Sequence, residues 1–265
     1  TATPEISPLS LHDALPIYGI RARTEHVVNW LEATQPDVLA IQESKVVDDL
    51  FPYDEYSKLG YHPLVYGQKA YNGVALLSKK EPINPATGIS GFKDPQTRVI
   101  SATYDGITVI DIYVPNGQSV GSDKFVYKLE WLDHLTRYIE NSLEENENLI
   151  VLGDFNIAPE DRDVYDPEVW KDKVLCSKQE REALEKLFAL GLVDSFRLFE
   201  QQGTSYSWWD YRAAAYRRKM GLRIDLILLS TPLAKRCASS TIDESPRGWE
   251  KPSDHTPVIV EIDIG

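Results

Sequence analysis

The sequence predicts an α/β fold in which two packed β-sheets carry helices on their outer faces. Many short apolar runs bounded by turn residues predict strands, whereas only three stretches have the apolar spacing of a helix. No internal repeat, low-complexity tract or linker divides the chain, so we expect a single domain over residues 18–265.

The three predicted helices lie far apart in the chain. Residues 21–33 carry apolar side chains at helical spacing, and Pro36 follows where a helix should end. Residues 123–143 have apolar side chains along one side of a second helix, and residues 179–190 predict a third. Such one-sided helices belong on the outside of the sheets.

Short apolar runs of strand length make up much of the remaining chain. Residues 37–43 predict a buried strand that delivers Gln42 and Glu43 at its end. The turn residues Asp105 and Gly106 predict a hairpin between two further strands. The other predicted strands are residues 73–77, 99–104, 108–113, 149–152, 224–229 and 258–262.

The composition excludes several classes of protein. A net charge of −13 argues against a protein that coats nucleic acid non-specifically, because neutralising phosphates needs lysine and arginine. The two cysteines, Cys176 and Cys237, make neither a disulfide framework nor a zinc site, which predicts reduced thiols in a cytoplasmic protein. No apolar run approaches the roughly 20 residues of a membrane helix, so we expect no membrane association.

Residues 205–223 form a basic, aromatic segment within this acidic chain. Its aromatic and basic residues include Tyr206, Trp208, Trp209, Tyr211, Arg212, Arg217, Arg218, Lys219 and Arg223. A basic segment rich in aromatic residues suits a single phosphate-facing surface, at which the arginines bind phosphates. The alternative is that the tryptophans belong to the core and the charges to a solvated helix end.

Residues 149–156 give the strongest local signal for chemistry. An apolar strand runs into Gly153 and then presents Asp154 and Asn156 on the same face. In a phosphodiester hydrolase, Asp154 could accept a proton from attacking water while Asn156 donates a hydrogen bond to a phosphate oxygen. The alternative is a turn in which both side chains only cap backbone groups.

Further acids and a histidine stand at the ends of other predicted strands. Asp254 and His255 precede the strand at residues 258–262, and Asp225 could fix the tautomer of the imidazole. Glu43 adds a carboxylate at the end of the first strand. Because Mg²⁺ takes carboxylate oxygens and keeps several waters, two or three convergent acids would suffice to bind it. Each of these residues alone could also be an ordinary surface or loop residue.

An ordered series of motifs from Gly19 onward resembles the exonuclease III class of abasic-site repair endonucleases. The motifs are QPDVLAIQESK (35–45), YNGVA (71–75), YVPNG (113–117), GDFN (153–156), SWWDYR (207–212), GLRID (221–225) and PRGWEKPSDH (246–255). The resemblance implies the endonuclease/exonuclease/phosphatase fold, a four-layered α/β sandwich whose active site lies at one edge of the two sheets.

The resemblance also implies roles for individual residues. In catalysis, Tyr113 and Asn156 would engage the scissile phosphate, Asp154 would activate water, and Asp225 would orient His255. The expected metal ligands are drawn from Glu43, Asp154, Asn156, Asp254 and His255. The expected DNA contacts are Lys69, Asn116, Trp209 and Arg212, with Arg98 and Lys251 as further candidates.

The beginning of the sequence departs from the family pattern. The family's opening strand ends in Asn-x-Asn-Gly or Asn-x-Asp-Gly, and its first asparagine assists at the metal site. Here Pro16 occupies that position, and residues 10–17 match one reading frame of a common short-read sequencing adapter. We therefore expect residues 1–17 to be a non-native segment and the opening strand to be missing or replaced. Such a loss would weaken both stability and metal binding.

The sequence therefore predicts a Mg²⁺-dependent DNA-repair phosphodiesterase, with Mn²⁺ as a possible substitute. The expected activities are incision on the 5′ side of abasic sites and 3′ to 5′ exonuclease action on duplex DNA, performed by a monomer. Two alternatives stay open. One is a phosphate-ester hydrolase of the same fold, and the other is a catalytically impaired module that binds abasic DNA without releasing product.

Overall fold

The computed structural model describes residues 19–201 and 203–264, which form alternating strands and helices. The strands are β1 (Val38–Gln42), β2 (His62–Tyr66), β3 (Val74–Ser78), β4 (Ile83–Thr87), β5 (Val99–Tyr104), β6 (Ile107–Tyr113), β7 (Leu149–Asp154), β8 (Leu192–Asp194), β9 (Asp225–Ser230), β10 (Cys237–Ile242) and β11 (Val258–Ile262). The helices are α1 (Thr24–Thr34), α2 (Tyr53–Ser57), α3 (Asp123–Glu145), α4 (Pro167–Trp170), α5 (Lys178–Ala189) and α6 (Thr231–Ala234). Every predicted strand and helix is present, with ends that differ by a few residues.

The larger sheet has the strand order β4-β5-β6-β7-β9-β8. β6 and β7 pair in parallel, and the other neighbours pair antiparallel. The helices α3 and α5 cover its outer face, where Trp131, Leu135 and Leu187 pack against Ile110 and Val151. These contacts bury the apolar side of each helix, as its spacing predicted.

A second layer of strands packs on the opposite face of the larger sheet. It consists of the sheet β1-β3-β2 and the pair β10-β11. Val74 and Leu76 of β3 share a core with Ile100 of β5. Leu31 of α1 and Tyr56 of α2 cover the outer face of the second layer. The order of helix, sheet, sheet and helix confirms the predicted four-layered sandwich.

In the part of the chain that the structure describes, no pairing joins β1 to β11 within the second layer. Among the described residues, β1 pairs only with β3 and β11 only with β10. Leu39 and Ile259 nevertheless share the outer core, and Ala40 and Val260 share the inner core, so both strands belong to one layer. The predicted non-native segment and the replaced opening strand fall on residues 1–18, outside the described residues.

The predicted hairpin joins β5 to β6. Asp105 and Gly106 have φ angles of 50° and 79°, and Tyr104 pairs with Ile107 across them. Positive φ at both central residues is the requirement of the tight turn that suits twisted strands. The hairpin therefore fixes the register of β6, at whose end Tyr113 lies.

Two further expectations concern membranes and thiols. Within residues 19–201 and 203–264, no helix combines the length and apolarity needed to cross a bilayer. Both cysteines are free. Cys176 is buried, and its burial raises the pKa of the thiol to about 12, which keeps it in the unreactive neutral form.

Candidate active site

Three neighbouring strands of the larger sheet bring polar side chains to one edge. Tyr113 at the end of β6 pairs with Asp154 at the end of β7, and Asp154 pairs with Asp225 at the start of β9. Gly153, with φ of 133°, precedes Asp154, and a Cβ there would lie 2.0 Å from the Ile112 carbonyl oxygen. Only glycine therefore fits at this position, where the chain turns to present Asp154.

Asp154 is a buried carboxylate, with 4% of its surface exposed. Its oxygens accept hydrogen bonds from the backbone N–H of Asn156 at 2.8 Å and from the Asn156 side-chain amide at 2.9 Å. Burial raises the pKa of Asp154 to about 8, an effect that the charge of His255 opposes and that of Asp225 reinforces. The sequence predicted this Asp–Asn pair, and the structure brings the two side chains together.

Asn156 is held on several sides. Its backbone has φ of 49°, in the left-handed region, and its side-chain amide also donates to the Val114 carbonyl at 3.0 Å. Its side-chain oxygen accepts a hydrogen bond from Asn116 at 3.0 Å. Both amide hydrogens thus have partners within the protein. A hydrogen bond from Asn156 to phosphate stays a prediction, and it requires one of these partners to be exchanged.

Asp225 and His255 form a pair, as the sequence predicted. Nδ1 of His255 lies 3.0 Å from both carboxylate oxygens of Asp225. Burial alone would lower the pKa of His255, but the charge and hydrogen bond of Asp225 outweigh burial and raise the pKa well above its ordinary value. Because Nδ1 is engaged by Asp225, Nε2 is the nitrogen left to face a ligand.

Glu43 reaches the same edge from the second layer. Its side chain is 40% exposed, accepts a hydrogen bond from the Tyr113 hydroxyl, and lies 3.0 Å from the Lys45 ammonium. Burial would raise the pKa of Glu43, but Lys45 and Tyr113 outweigh burial and lower the pKa. Arg98 stacks on the Tyr113 ring at 4.5 Å and donates to its carbonyl. Glu43 is therefore an ionised carboxylate, and Arg98 supports Tyr113.

A group of three potential metal ligands lies at this edge. Asp154, Asp225 and His255 each offer one atom, and these atoms lie within 4.8 Å of one another. Glu43 is outside this group but near enough for its charge to raise the pKa of Asp154. The donor set is dominated by carboxylate oxygens, which a hard divalent cation prefers. The resemblance gave Asp225 only the role of orienting His255. The structure adds Asp225 to the candidate metal ligands.

Asp254 lies on the other side of His255. Its carboxylate accepts a hydrogen bond from the indole N–H of Trp208 at 3.1 Å, and its carbonyl accepts one from the backbone of Trp209. Asp254 is not a member of the three-residue group, so its metal role stays a prediction. These bonds instead tie the segment at residues 205–212 to the loop that carries His255.

The two tryptophans of that segment differ in exposure. Trp209 is 2% exposed and packs against Tyr206 and Tyr216. Trp208 is half-buried, with its ring 6.5 Å from the His255 ring. The burial of Trp209 matches the core alternative and does not favour its predicted DNA contact, which would need a movement of the segment. Trp208 is the tryptophan that lies beside the site.

The basic segment divides between surface and core. Arg212, Arg217, Arg218 and Lys219 are exposed, as are Lys69, Asn116 and Lys251. Arg223 is buried and bonds to both Asp163 and Asp194, so the proposed phosphate contact is wrong for this arginine. For the exposed residues, contact with DNA stays a prediction.

Two supporting residues were missed by the sequence analysis. Lys45 neutralises Glu43, and the buried hydroxyl of Ser207 accepts the backbone N–H groups of Ile224 and Asp225. Both belong to motifs that carried the family resemblance, and their position within those motifs was the available signal.

Comparisons with known proteins agree with this geometry. A model of the endonuclease/exonuclease/phosphatase family matches residues 17–255. Exodeoxyribonuclease III of Haemophilus influenzae is 38% identical over 258 residues, which cover 92% of this chain and 97% of that protein. These matches confirm the resemblance to the exonuclease III class.

Solved structures give the same result. A variant of the 3′ phosphatase NExo from Neisseria, bound to a product DNA hairpin, superposes with a TM-score of 0.91 at 42% identity, covering 92% of this chain and 96% of that chain. An AP endonuclease from Archaeoglobus fulgidus gives 0.88 at 37% identity, covering 93% and 96%. By its fold, its site and these matches, the chain belongs to the endonuclease/exonuclease/phosphatase family.

Proposed function

We propose that this chain is a metal-dependent DNA-repair phosphodiesterase that incises abasic sites and removes nucleotides or blocking groups from 3′ ends. The observation that carries the proposal is the convergence of Asp154, Asn156 and the Asp225–His255 pair at one sheet edge. The names of the relatives support it, because one is an exodeoxyribonuclease III, one a 3′ phosphatase and one an AP endonuclease.

The residues at the edge suit in-line hydrolysis of a phosphodiester. Water attacks phosphorus, its proton passes to Asp154, and the bond from phosphorus to the 3′ oxygen breaks. The leaving 3′ oxygen takes a proton from solvent water, which gives a 3′ hydroxyl on the 5′ side of the abasic site and a 5′ phosphate on the abasic sugar. The raised pKa of Asp154, about 8, makes it a stronger base than an ordinary carboxylate. The imidazolium of His255, held by Asp225, stabilises negative charge on the phosphate.

Tyr113 contributes a neutral hydroxyl to the same site. Burial, together with the charges of Glu43 and Asp154, raises its pKa well above the ordinary value. The hydroxyl therefore keeps its proton at neutral pH and can donate to Glu43 or, after exchange, to a phosphate oxygen. In this proposal Asn116 contacts the nucleotide next to the scissile phosphate, and its exposure and its hydrogen bond to Asn156 support that role.

The metal in this proposal is Mg²⁺, with Mn²⁺ able to replace it. Glu43, Asp154 and Asp225 offer carboxylate oxygens, and His255 would offer a ring nitrogen only in its neutral form. When bound, the ion would neutralise phosphate charge and favour the ionised form of Asp154. The proposal includes Asp254 and the amide oxygen of Asn156 as further metal ligands. It also includes that the protein works as a monomer in the cytoplasm.

Incision of a duplex with one abasic site tests the proposal. We expect a product with a 3′ hydroxyl in Mg²⁺, none in chelator, and loss of the product in Asp154→Asn but not in the surface control Asp133→Asn. A 3′-phosphorylated nicked duplex measures the end-processing activity in the same reaction. Hydrolysis of small phosphate esters without DNA cleavage would favour the general hydrolase, and Mg²⁺-dependent binding without product would favour the impaired binding module.

A further inference from the structure

A completely buried ion pair lies behind the active site. Lys128 of α3 and Glu180 of α5 are each 0% exposed, and Nζ of Lys128 lies 2.5 Å from a carboxylate oxygen of Glu180. Removing two charges from water is costly, and an apolar pair of similar volume is often as stable or more stable. The burial of this pair therefore calls for an explanation beyond the stability of the helix contact.

Lys128 donates to two carbonyl groups in addition to Glu180. Its Nζ lies 2.7 Å from the carbonyl oxygen of Asn156 and 3.2 Å from that of Asn116. An ammonium group has three N–H donors, so all three have partners. The two carbonyls belong to the loop after β6 and the loop after β7, and the side chains of the same two asparagines are bonded to each other.

The two carbonyl groups lie in loops whose backbone has positive φ angles or packs closely against Lys128. Asn156 has φ of 49°, which costs free energy for any residue with a side chain. Gly117, with φ of 88°, follows Asn116, and a Cβ there would lie 3.0 Å from Cδ of Lys128. The aliphatic part of Lys128 thus packs against one loop while its ammonium group holds both.

Glu180 is itself anchored at the start of α5. Its Oε1 also accepts the backbone N–H of Leu175 at 3.0 Å, and its Oε2 accepts the backbone N–H and the hydroxyl of Ser177 at 3.0 and 2.6 Å. The carboxylate cannot move without breaking the cap of this helix. An unbroken series of hydrogen bonds therefore runs from the start of α5 through Lys128 and Asn156 to Asp154.

We infer that the buried Lys128–Glu180 pair positions Asn116 and Asn156 for catalysis, by fixing the backbone of both loops against the outer helices. The inference rests on the proposed function. Neither residue touches substrate, so both are positioning residues. Without the ammonium group, the two asparagines lose their common support, and the Asn156 amide is free to turn away from Asp154.

The double variant Lys128→Met/Glu180→Gln tests this role. It removes both charges, keeps one of the two acceptor oxygens that serve Leu175 and Ser177, and avoids an unpaired buried carboxylate. The matched control is Lys186→Met, which breaks a surface ion pair of 2.6 Å with Asp133 between the same two helices. Three quantities are measured for the parent protein, the double variant and the control. They are the rate of single-turnover incision of abasic DNA, the DNA affinity in chelator and the melting temperature.

We expect the rate of the double variant to fall on the order of 100-fold, because small displacements of positioning groups have effects of that size. Its DNA affinity should stay within about twofold and the control should match the parent protein. Incision by the double variant at the parent rate would overturn the inference. A fall in the incision rate would also overturn the inference if a lower melting temperature of the double variant accounted for it.

A second readout does not depend on activity. Hydrogen exchange of the buried side-chain amide of Asn156, followed by NMR, should be slow in the parent protein and in the control, and at least about tenfold faster in the double variant. Unchanged exchange would refute the positioning role. If the parent protein cleaves no DNA, the proposed function fails, and the exchange rates still decide whether the pair holds Asn156.

Discussion

The two strand layers of this protein differ in how firmly they hold the residues they contribute to the site. In the larger sheet, Tyr113, Asp154 and Asp225 stand on three strands that are hydrogen-bonded neighbours. In the second layer, Glu43 follows β1 and His255 precedes β11, and each of these strands is paired on one side among the described residues. Asp154, the proposed base, and Asp225, which binds His255, thus lie on adjacent paired strands, whereas Glu43 and His255 lie beside two strands that share no pairing partner among the described residues.

One segment joins the two layers at the site. The carbonyl oxygen of Ser207 accepts the backbone N–H of Thr256, its hydroxyl accepts that of Asp225, and Trp209 donates to the Asp254 carbonyl. This segment ties the start of β9 to the loop before β11. The relative position of the two layers at the active site is therefore set in part by residues 205–212.

The largest expected effect concerns the continuous sheet. Asp154→Asn removes the proton acceptor but keeps the shape of the side chain, so we expect incision to fall by about 10³-fold or more. The measurement is single-turnover cleavage of abasic duplex in Mg²⁺, with Asp133→Asn as the surface control. A loss below about tenfold would mean that the base lies elsewhere.

A smaller effect is expected for the joining segment. Trp209→Ala removes a ring that is 2% exposed and packed by Tyr206 and Tyr216, so it should lower the free energy of unfolding by about 3–5 kcal/mol. Trp208→Ala, at a half-buried site, should cost less stability and mainly affect binding of abasic DNA. Urea unfolding and DNA titration of both variants separate the roles, and the reverse pattern would restore Trp209 as the DNA contact.

The second layer gives the next prediction. Replacing residues 10–18 by a strand that ends in the family pattern Asn-x-Asn should place a strand between β1 and β11, which share no pairing partner among the described residues. We expect a higher melting temperature and about 10- to 100-fold greater activity at limiting Mg²⁺, because completing a metal site has effects of this size. Equal stability and equal activity of the two chains would show that residues 1–17 are not a defect.

The smallest effect is a change in titration. The charge of Asp225 raises the pKa of His255, so Asp225→Asn should lower that pKa and make the imidazole lose its proton at a lower pH. An NMR titration of the imidazole in chelator measures this directly. An unchanged His255 titration would mean that the 3.0 Å contact seen here does not persist in solution.

The sequence predicted the inner strands and the main polar pairs because both are local patterns. β7 is an apolar run that ends at Asp154, and β9 starts at Asp225 beside another apolar run. Strands β2, β4, β8 and β10 were not predicted. β2 and β4 contain Pro63 and Pro85, β8 has only three residues, and β10 is largely polar, so pairing with a neighbouring strand rather than composition defines them.

Other features depend on contacts between distant parts of the chain. The difference in exposure between Trp208 and Trp209 follows from how their segment packs in the folded protein. Two adjacent residues of the same type give no sequence signal for this difference. In the sequence, nothing distinguishes Lys128 from a surface lysine, because its partner Glu180 lies 52 residues away in the chain. Arg223 belongs to a basic run in sequence, yet two aspartates enclose it in the folded protein.

The pairing register of Tyr113, Asp154 and Asp225 restricts how this protein can diverge. Successive residues of a strand point to opposite faces, so one inserted or deleted residue within β7 would turn Asp154 away from its neighbours. Changes of length are then tolerated in connections such as the exposed turn at residues 211–219, where they alter the DNA surface and leave the chemistry intact. New substrate preferences can therefore arise in this fold by remodelling loops, while strand lengths at the site stay constant.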